Sequence, residues 1–277
     1  ILGIILTKRG AGSSSETELA GFPHHSLNTY LPKLVKAGLR VAICDQLEDP
    51  KLTKTIVKRG VTELITPGLA IIDEVLSPKT NNFLAAISLG KQIGISFLDV
   101  STGEFLISEG TVDEVDKLLQ NFNPSEILVS KQKKQDFSSK FSYPYQLFYL
   151  EDWVFQHDFA KESICSHFKT KNLKGFGIEK MEEGTISAGA VLHYLKETHH
   201  HLTKHISTIS RIEQEKYVWM DRFTMSNLEL LKSNSNDGIS LLDVIDKTFT
   251  PMGGRMLKRW IIHPVIDLKE LEFRHGC

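Results

Sequence analysis

The sequence lacks the features that mark membrane and secreted proteins. Its longest early apolar run, ILGIIL, has six residues, whereas a membrane-spanning helix needs about 20, and no signal-peptide pattern follows it. Its three cysteines, Cys44, Cys165 and Cys277, are far apart and odd in number. This usage argues against a disulfide framework and fits a reducing cytosol. The sequence therefore predicts a cytoplasmic protein with no membrane partner.

An excess of charge of one sign is also missing. The chain has 33 Lys and Arg against 34 Asp and Glu, a net charge of −1. No global field draws such a chain toward nucleic acid. Residues 1–80 hold ten basic and eight acidic residues, only a faint excess. Any anionic partner must be met by a local patch, and charge balance alone does not predict DNA.

The usual catalytic motifs are missing as well. The sequence contains no Walker A loop, no GxGxxG, no nucleophile elbow and no CxxC or HExxH pattern. On residue spacing alone we expect no catalytic residue, no metal ligand and no cofactor within these residues. In particular, the chain is not expected to hydrolyse ATP.

Length and residue pattern predict an α/β multidomain chain. A length of 277 residues corresponds to about two domains, or three. We predict a small mixed α/β unit over 1–76, a mixed α/β unit over 81–204 and the start of an all-α unit over 205–277. Residues 69–80 lose periodicity and are predicted as a linker. Residue 1 is Ile rather than Met, and the chain is expected to be part of a longer protein.

Several elements have clear local signals. Apolar spacing predicts a helix from residue 27 to 35, with Gly38 at its C-terminal end. A Ser-Thr-Gly turn at 101–103 between alternating segments predicts a hairpin. Thr250 as N-cap and Pro251 at the first helical position predict a helix there. The adjacent glycines that follow weaken this helix, which is expected to reflect a tight packing contact.

Four histidines occur within seven positions in ETHHHLTKH, residues 197–205. His201 and His205 are spaced i, i+4 and could share one helix face, which suits zinc. A solvated helix end is favoured instead, because histidine is stabilised there by the helix dipole without a metal. Cys44, in the predicted buried strand RVAIC, is interpreted as structural, since the carboxylates around it do not activate a thiolate.

Asp99 ends a predicted strand just before the hairpin, and Glu104 follows it. Carboxylates at such a position could hold metal ions in a nuclease with a ribonuclease H-like sheet. Turns favour Asp in any case, and no further carboxylate has an obvious place nearby. The nuclease is therefore the alternative hypothesis rather than the preferred one.

Two basic stretches are candidate phosphate contacts. LTKRG places Lys8 and Arg9 beside a Gly/Ser-rich loop. KLTKTIVKRG forms a basic stripe if it is helical, although a solvated face is the commoner meaning of such a run. The possible phosphate contacts in this second stretch are Lys51, Lys54, Lys58 and Arg59.

A resemblance to a known family adds to this interpretation. Segments along the whole chain resemble, in order, the mismatch-recognition domain, the connector domain and the opening of the helical core of the MutS family of DNA mismatch repair proteins. The segments are LTKRG, ELAGFPHHSLNTYLPKLVKAGLRVAICDQLEDPK, TELITPG, NNFLAAI, FLDVSTGEF, LKGFG, AGAVLHYLKET, MDRFTMSNLELL and SLLDVIDKTFTPMGGRMLKRWIIHPVID.

The resemblance implies binding of mismatched double-stranded DNA. It places the segments around Leu19 to Gly21 and around Thr66 and Pro67 close to DNA, while Lys8 and Arg9 are the best phosphate contacts. Glu63 departs from the family, which often has a basic residue there, so a contact at this position is in doubt. The family's Phe-x-Glu wedge motif is expected upstream of LTKRG.

The resemblance also implies a ribonuclease H-like connector without catalytic carboxylates and a histidine run without metal. For the longer parent protein it implies ATP and Mg²⁺ as cofactors, homodimerisation, MutL bound at the connector and a bacterial cytoplasm, in association with the nucleoid. A pure protein-interaction module is the third hypothesis. The final EFRHGC departs from the family, which continues into a long helix there.

Overall fold

The structure is a computed structural model that describes residues 1–9, 17–49, 56–70, 78–142, 144–198 and 204–276. Within these ranges the chain is mixed α/β, with separate sheets and helices, as the sequence predicts. No helix in the described residues is long and apolar enough to cross a membrane.

In its described residues, the first unit contains two short antiparallel ladders and one α-helix. Its elements are β1 (Thr7–Arg9), β2 (Thr17–Leu19), α1 (Leu27–Lys36), β3 (Val41–Gln46) and β4 (Arg59–Ile65). Leu31 and Val35 of α1 pack with Ile65 in a small core. Gly38, at φ 80°, donates its N–H to the carbonyl of Val35 and ends the helix as predicted.

The strand predicted as buried, β3, is exposed along one face. Ala42 and Cys44 point to solvent, while Val41 and Ile43 pack toward α1. A two-stranded sheet with one helix has only one covered face, so alternate side chains of β3 remain exposed to solvent. The prediction of a buried strand is wrong for this reason.

A six-stranded sheet forms the centre of the described structure. Its order is β10-β7-β6-β5-β8-β9, with β5, β6 and β7 antiparallel and the other pairs parallel. The elements are β5 (Phe83–Leu89), β6 (Ile93–Asp99), β7 (Glu104–Gly110), α2 (Val112–Phe122), β8 (Glu126–Ser130), α3 (Lys134–Lys140), β9 (Leu147–Leu150), α4 (His157–Phe168), α5 (Glu182–Thr198) and β10 (Ser210–Arg211).

Helices cover both faces of this sheet. One face packs against α4 and α5, and the opposite face packs against α2 and α3. The predicted hairpin joins β6 to β7, with Gly103 at φ 74° donating its N–H to the carbonyl of Asp99. A capping box between Thr111 and Glu114 opens α2. At the β6–β7 hairpin, the local sequence signal and the long-range strand pairing agree.

Helices are the main regular elements of the third part. They are α6 (Arg222–Asn227), α7 (Leu241–Ile245), α8 (Pro251–Ile262) and α9 (Leu268–His275). The Thr250 hydroxyl accepts from the N–H of Gly253, which confirms the predicted cap of α8. Gly254 is in tight contact with the segment that precedes β5, since a Cβ there would lie 2.6 Å from Cγ of Lys79. That contact explains one of the two glycines.

Two predicted boundaries are crossed by tertiary contacts. Strand β10 lies within 205–277 yet pairs with β7, so the beginning of that range is part of the central sheet. At the expected linker, Leu69 and Ala70 are buried and Leu69 belongs to the core beside α5. Residues 71–77 lie outside the described residues. Residues 69 and 70 thus pack against neighbouring elements, and the linker boundaries stay a prediction.

The third part packs on the sheet unit around His263. The His263 ring is buried, with ring centroids of Phe122 and Trp219 at 5.5 Å and 4.5 Å. Its Nδ1 has no hydrogen-bond partner among the described residues. Burial, and secondly the Arg259 guanidinium, lower the pKa of His263 to about 4. The ring is therefore neutral in the folded protein at neutral pH.

This pKa predicts a pH dependence of stability. Below the ordinary histidine pKa of about 6.5, the unfolded chain binds a proton that folded His263 does not. The free energy of unfolding should fall by on the order of 2–3 kcal/mol as the pH decreases from about 6.5 to about 4. Urea unfolding followed by circular dichroism across this pH range measures the decrease in the free energy of unfolding. His263→Gln should flatten this pH profile and His24→Gln, at an exposed site, should not; equal slopes in both would contradict the assignment.

Candidate nucleic-acid interface

The β1–β2 hairpin brings together some of the predicted DNA-contacting residues. Lys8 is exposed and lies opposite Glu18 in the antiparallel register, and the Thr7 hydroxyl donates to the carbonyl of Leu19 at 2.8 Å. Leu19 itself is 48% exposed. The backbone of Arg9 ends β1, but its side chain lies outside the described atoms. The hairpin thus presents a basic and an apolar group on one short ribbon.

The chain after the hairpin stays open to solvent. Gly21 is exposed, and a Cβ there would meet nothing within 4 Å. Phe22 then stacks on Tyr30, with ring centroids 4.4 Å apart, and the ammonium of Lys33 lies 5.2 Å from the Tyr30 ring centre. Sequence reasoning missed this aromatic and basic group. The i, i+3 spacing of Tyr30 and Lys33 on a predicted helix could have indicated it.

The second basic stretch is not a helical stripe where the structure describes it. Lys58 lies outside regular structure and Arg59 begins β4, so the helix that would align them is absent from residues 56–59. Lys58 is exposed, and its Nζ lies 3.4 Å from a carboxylate oxygen of Glu48. Such an exposed pair contributes about 0–1 kcal/mol and competes weakly with a phosphate. Lys51 and Lys54 lie outside the described residues.

Acidic groups share this exposed sheet. Glu63 is exposed on β4, and the Asp45 carboxylate on β3 accepts a hydrogen bond from the Thr62 hydroxyl at 2.7 Å. Carboxylates repel phosphates, so these groups weigh against a DNA contact on this face.

Thr66 and Pro67 do not face solvent. Both are buried at the contact between the first unit and the central sheet, and Thr66 has no exposed surface. The carbonyl of Pro67 accepts from the Asn82 side chain at 2.9 Å, and the N–H of Gly68 donates to Glu126 at 3.2 Å. A buried side chain offers little surface to a phosphate, so this burial does not favour Thr66 and Pro67 as DNA contacts, and their contact with DNA stays a prediction.

Comparison with known proteins bears on the whole chain. The family models of MutS domain I, MutS domain II and MutS domain III match residues 1–74, 82–207 and 223–277, in this order. The chain belongs to the MutS family. The DNA mismatch repair protein MutS of Flavobacterium psychrophilum is 65% identical over 99% of the chain.

Two further relatives with the same name are similar. The MutS proteins of Flavobacterium johnsoniae and Cytophaga hutchinsonii are 63% and 58% identical over 100% and 99% of the chain. In each case the matched region is 32% of the relative's own length. The chain therefore spans about a third of the length of the curated MutS relatives that it matches.

The carboxylates of the nuclease hypothesis have other partners in this MutS-family chain. Asp99 is fully buried and accepts hydrogen bonds from Asn81 and from the turn that follows β6. Both carboxylate oxygens of Glu104 accept from Arg259 at 2.6 Å. Within the described residues no group of three or more His, Cys, Asp or Glu is placed to hold a metal ion. The relatives give the nuclease hypothesis no support either.

The structure describes only part of the histidine run. Helix α5 ends at Thr198, and residues 199–203, which include His201, lie outside the described residues. His205 has a ring nitrogen 2.5 Å from the carbonyl oxygen of Val100. A ring held by a backbone carbonyl has a packing role at the sheet edge, and the zinc interpretation gains nothing from it.

Proposed function

We propose that this chain takes part in the recognition of mismatched duplex DNA during DNA mismatch repair, as a segment of a longer MutS-type protein. The observation that carries the proposal is the ordered match to MutS domains I, II and III together with mismatch repair relatives that are 58–65% identical over the chain. On this proposal the first unit meets DNA, and the sheet unit and the helices position it.

The geometry of the β1–β2 hairpin supports phosphate contact as the chain's own contribution. Lys8 is exposed on a narrow ribbon, with the polar hydroxyl and backbone of Thr7 beside it. Basic side chains that neutralise phosphates release counterions, and such contacts fix the protein on DNA without reading sequence. Discrimination requires a wedge at a poorly stacked step. The sequence contains no Phe-x-Glu motif to supply one.

We also propose the finer architecture. The second unit is a ribonuclease H-like connector, and the order β7-β6-β5-β8-β9, with β6 antiparallel to both neighbours, supports it. We keep the proposed units as residues 1–76, 81–204 and 205–277, with the qualification that β10 and Leu69 pack with the connector. The last unit is the start of a helical core.

For the longer protein we propose the family's further properties. These are ATP and Mg²⁺ as cofactors, homodimerisation, MutL bound at the connector, and a cytoplasmic, nucleoid-associated location. ATP hydrolysis is not proposed for these 277 residues, because the sequence has no Gly-rich phosphate loop followed by Lys and Ser or Thr.

Titration of the chain with matched and G·T duplexes at two salt concentrations tests the proposal. We expect weak binding that falls steeply with salt and differs little between the two duplexes. Replacing Lys8 and Arg9 together by Ala should weaken both complexes alike and flatten the salt slope by about one or two units.

The matched control replaces Lys171 and Lys180, two exposed lysines of the connector, by Ala. This variant has the same change in net charge and should bind like the unchanged chain. If the control and the hairpin variant lose affinity equally, binding is a property of total charge and the hairpin has no specific role. Tight binding of G·T with rejection of matched duplex would place recognition in residues other than those proposed.

A further inference from the structure

Residues 78–82, which we call the junction segment, contact the first unit, the connector and the third unit. Arg255 on α8 donates to the carbonyl of Pro78 at 2.7 Å. The Lys79 ammonium donates to the carboxylate of Asp246 at 2.9 Å, and its aliphatic stem lies against Gly254. The beginning of the junction segment is therefore held by the third unit.

The end of the junction segment is held by the first unit. The side-chain amide of Asn82 donates to the carbonyl oxygens of Pro67 at 2.9 Å and Ala70 at 3.3 Å. Its amide oxygen accepts from the hydroxyl of Ser125 at 2.6 Å, and the residue is buried. Asn82 therefore fixes the backbone of the first unit where it enters the core of the connector.

The carboxylate of Asp99 accepts hydrogen bonds from both asparagines of the junction segment, Asn81 and Asn82. One carboxylate oxygen accepts from the Asn81 side chain at 2.7 Å and from the N–H of Asn82 at 3.3 Å. The other accepts from the N–H and hydroxyl of Ser101 at 2.9 Å and 2.6 Å. A buried carboxylate needs such donors because desolvation without them is costly. The buried carboxylate of Asp99 thus takes two of its hydrogen bonds from the two asparagines of the junction segment.

A second carboxylate stands directly across the strand pair. Glu104 on β7 is opposite Asp99 in the β6–β7 register, an arrangement in which like charges repel. The Asn81 amide lies between them, 2.7 Å from Asp99 and 3.5 Å from Glu104. Arg259 of α8 offsets the repulsion by donating to both oxygens of Glu104 at 2.6 Å.

We propose that Asp99 is a positioning residue that couples helix α8 to the first unit. Hydrogen bonds join Arg259 to Glu104, and the Asn81 amide lies between Glu104 and Asp99. Asp99 in turn accepts from the N–H of Asn82, whose side chain holds the backbone between Pro67 and Ala70. When α8 moves and Arg259 leaves Glu104, the uncompensated carboxylates displace Asn81, and Asn82 loosens its hold on the first unit. The inference goes beyond DNA binding and does not depend on it.

Hydrogen exchange of the 277-residue chain, followed by mass spectrometry, tests this coupling. Arg259→Gln removes the guanidinium that donates to Glu104 and leaves the carboxylates of Asp99 and Glu104 opposite each other without compensation. We expect the amides of Gly68 and Leu69, whose N–H groups donate to Glu126 and Thr66 rather than to α8, to exchange at least about threefold faster. Arg259→Lys, which keeps the positive charge, should give a smaller increase at the same amides.

Arg274→Gln is the matched control, since Arg274 also pairs with a glutamate, Glu270, within helix α9 of the same unit. It should leave Gly68 and Leu69 unchanged. In an Asn81→Ala background, Arg259→Gln should add nothing further at these amides, because the route is already interrupted. The inference is overturned if Arg259→Gln alters exchange only at α8 and the β6–β7 hairpin, or if its effect persists undiminished without Asn81.

Discussion

Replacing Gly94 by Ala should strongly destabilise the connector, although the change adds only one methyl group. Gly94 lies on β6 beneath the beginning of α5, and a Cβ there would overlap the backbone carbonyl of Glu183 and the nitrogen of Gly184. The obstacle is backbone rather than the end of a flexible side chain. Helix α5 must therefore move away from the sheet.

Several contacts hold α5 at that distance and would be lost together. The N–H of Gly184 donates to Glu109 at 2.9 Å, and the Ser88 hydroxyl donates to Glu183 at 2.5 Å. The helix also supplies much of the core on its side of the sheet. Overpacking in a dense core lowers the free energy of unfolding by about 1–3 kcal/mol and sometimes more. We expect the loss in Gly94→Ala to be about 3 kcal/mol or larger.

Urea unfolding of the chain, followed by circular dichroism, measures this effect. Gly175→Ala is the matched control, since a Cβ at Gly175 meets nothing within 4 Å. Its unfolding midpoint should stay near that of the unchanged protein. Equal midpoints for the two variants would mean that α5 is not seated against β6 as described.

Removing the Glu126 side chain should produce the second large loss of stability. Glu126 is buried at the contact between the first unit and the connector, where one oxygen accepts from the N–H of Gly68 at 3.2 Å. The other accepts from the hydroxyl of Tyr194 at 2.7 Å. Burial first, and the Glu126 charge second, raise the pKa of Tyr194, which keeps this hydroxyl protonated and donating.

Glu126→Ala leaves both donors buried without a partner. Each such donor costs about 1–3 kcal/mol, so the variant should lose roughly 2–6 kcal/mol in total. Tyr194→Phe removes one donor and keeps the ring, which packs near the Arg40 guanidinium at 5.5 Å, and should lose less. Glycine is required at position 68 in this arrangement, because a Cβ would lie 2.9 Å from Leu84 and 3.0 Å from Glu126.

The measurement is again the unfolding midpoint, with Glu162→Ala as the control at an exposed position of α4. Limited proteolysis of the first unit gives a second readout, since its attachment to the connector should loosen in Glu126→Ala before the sheet unfolds. If Glu126→Ala and Glu162→Ala have equal unfolding midpoints and proteolysis is unchanged, Glu126 does not stabilise the contact between the first unit and the connector.

Much of the local structure was predictable because its signals lie within a few residues. Thr250 and Pro251 open α8 as expected, and the Ser-Thr-Gly turn makes the β6–β7 hairpin. Family membership was equally accessible, since motifs in fixed order along the chain carry it independently of how they pack.

The candidate site was less predictable, because exposure and pairing depend on residues far apart in sequence. The sequence by itself determined the local elements and the family, through periodicity, caps and motif order. Only the tertiary structure decided that Thr66 and Pro67 are buried, that Arg59 belongs to a strand, and that β10 joins the connector sheet. It also decided the partners of Asp99 and Glu104, since Asn81 and Arg259 reach them from 18 and 155 residues away. Hydrogen bonds between such distant positions form when the backbone brings them together, and no local pattern encodes that distance.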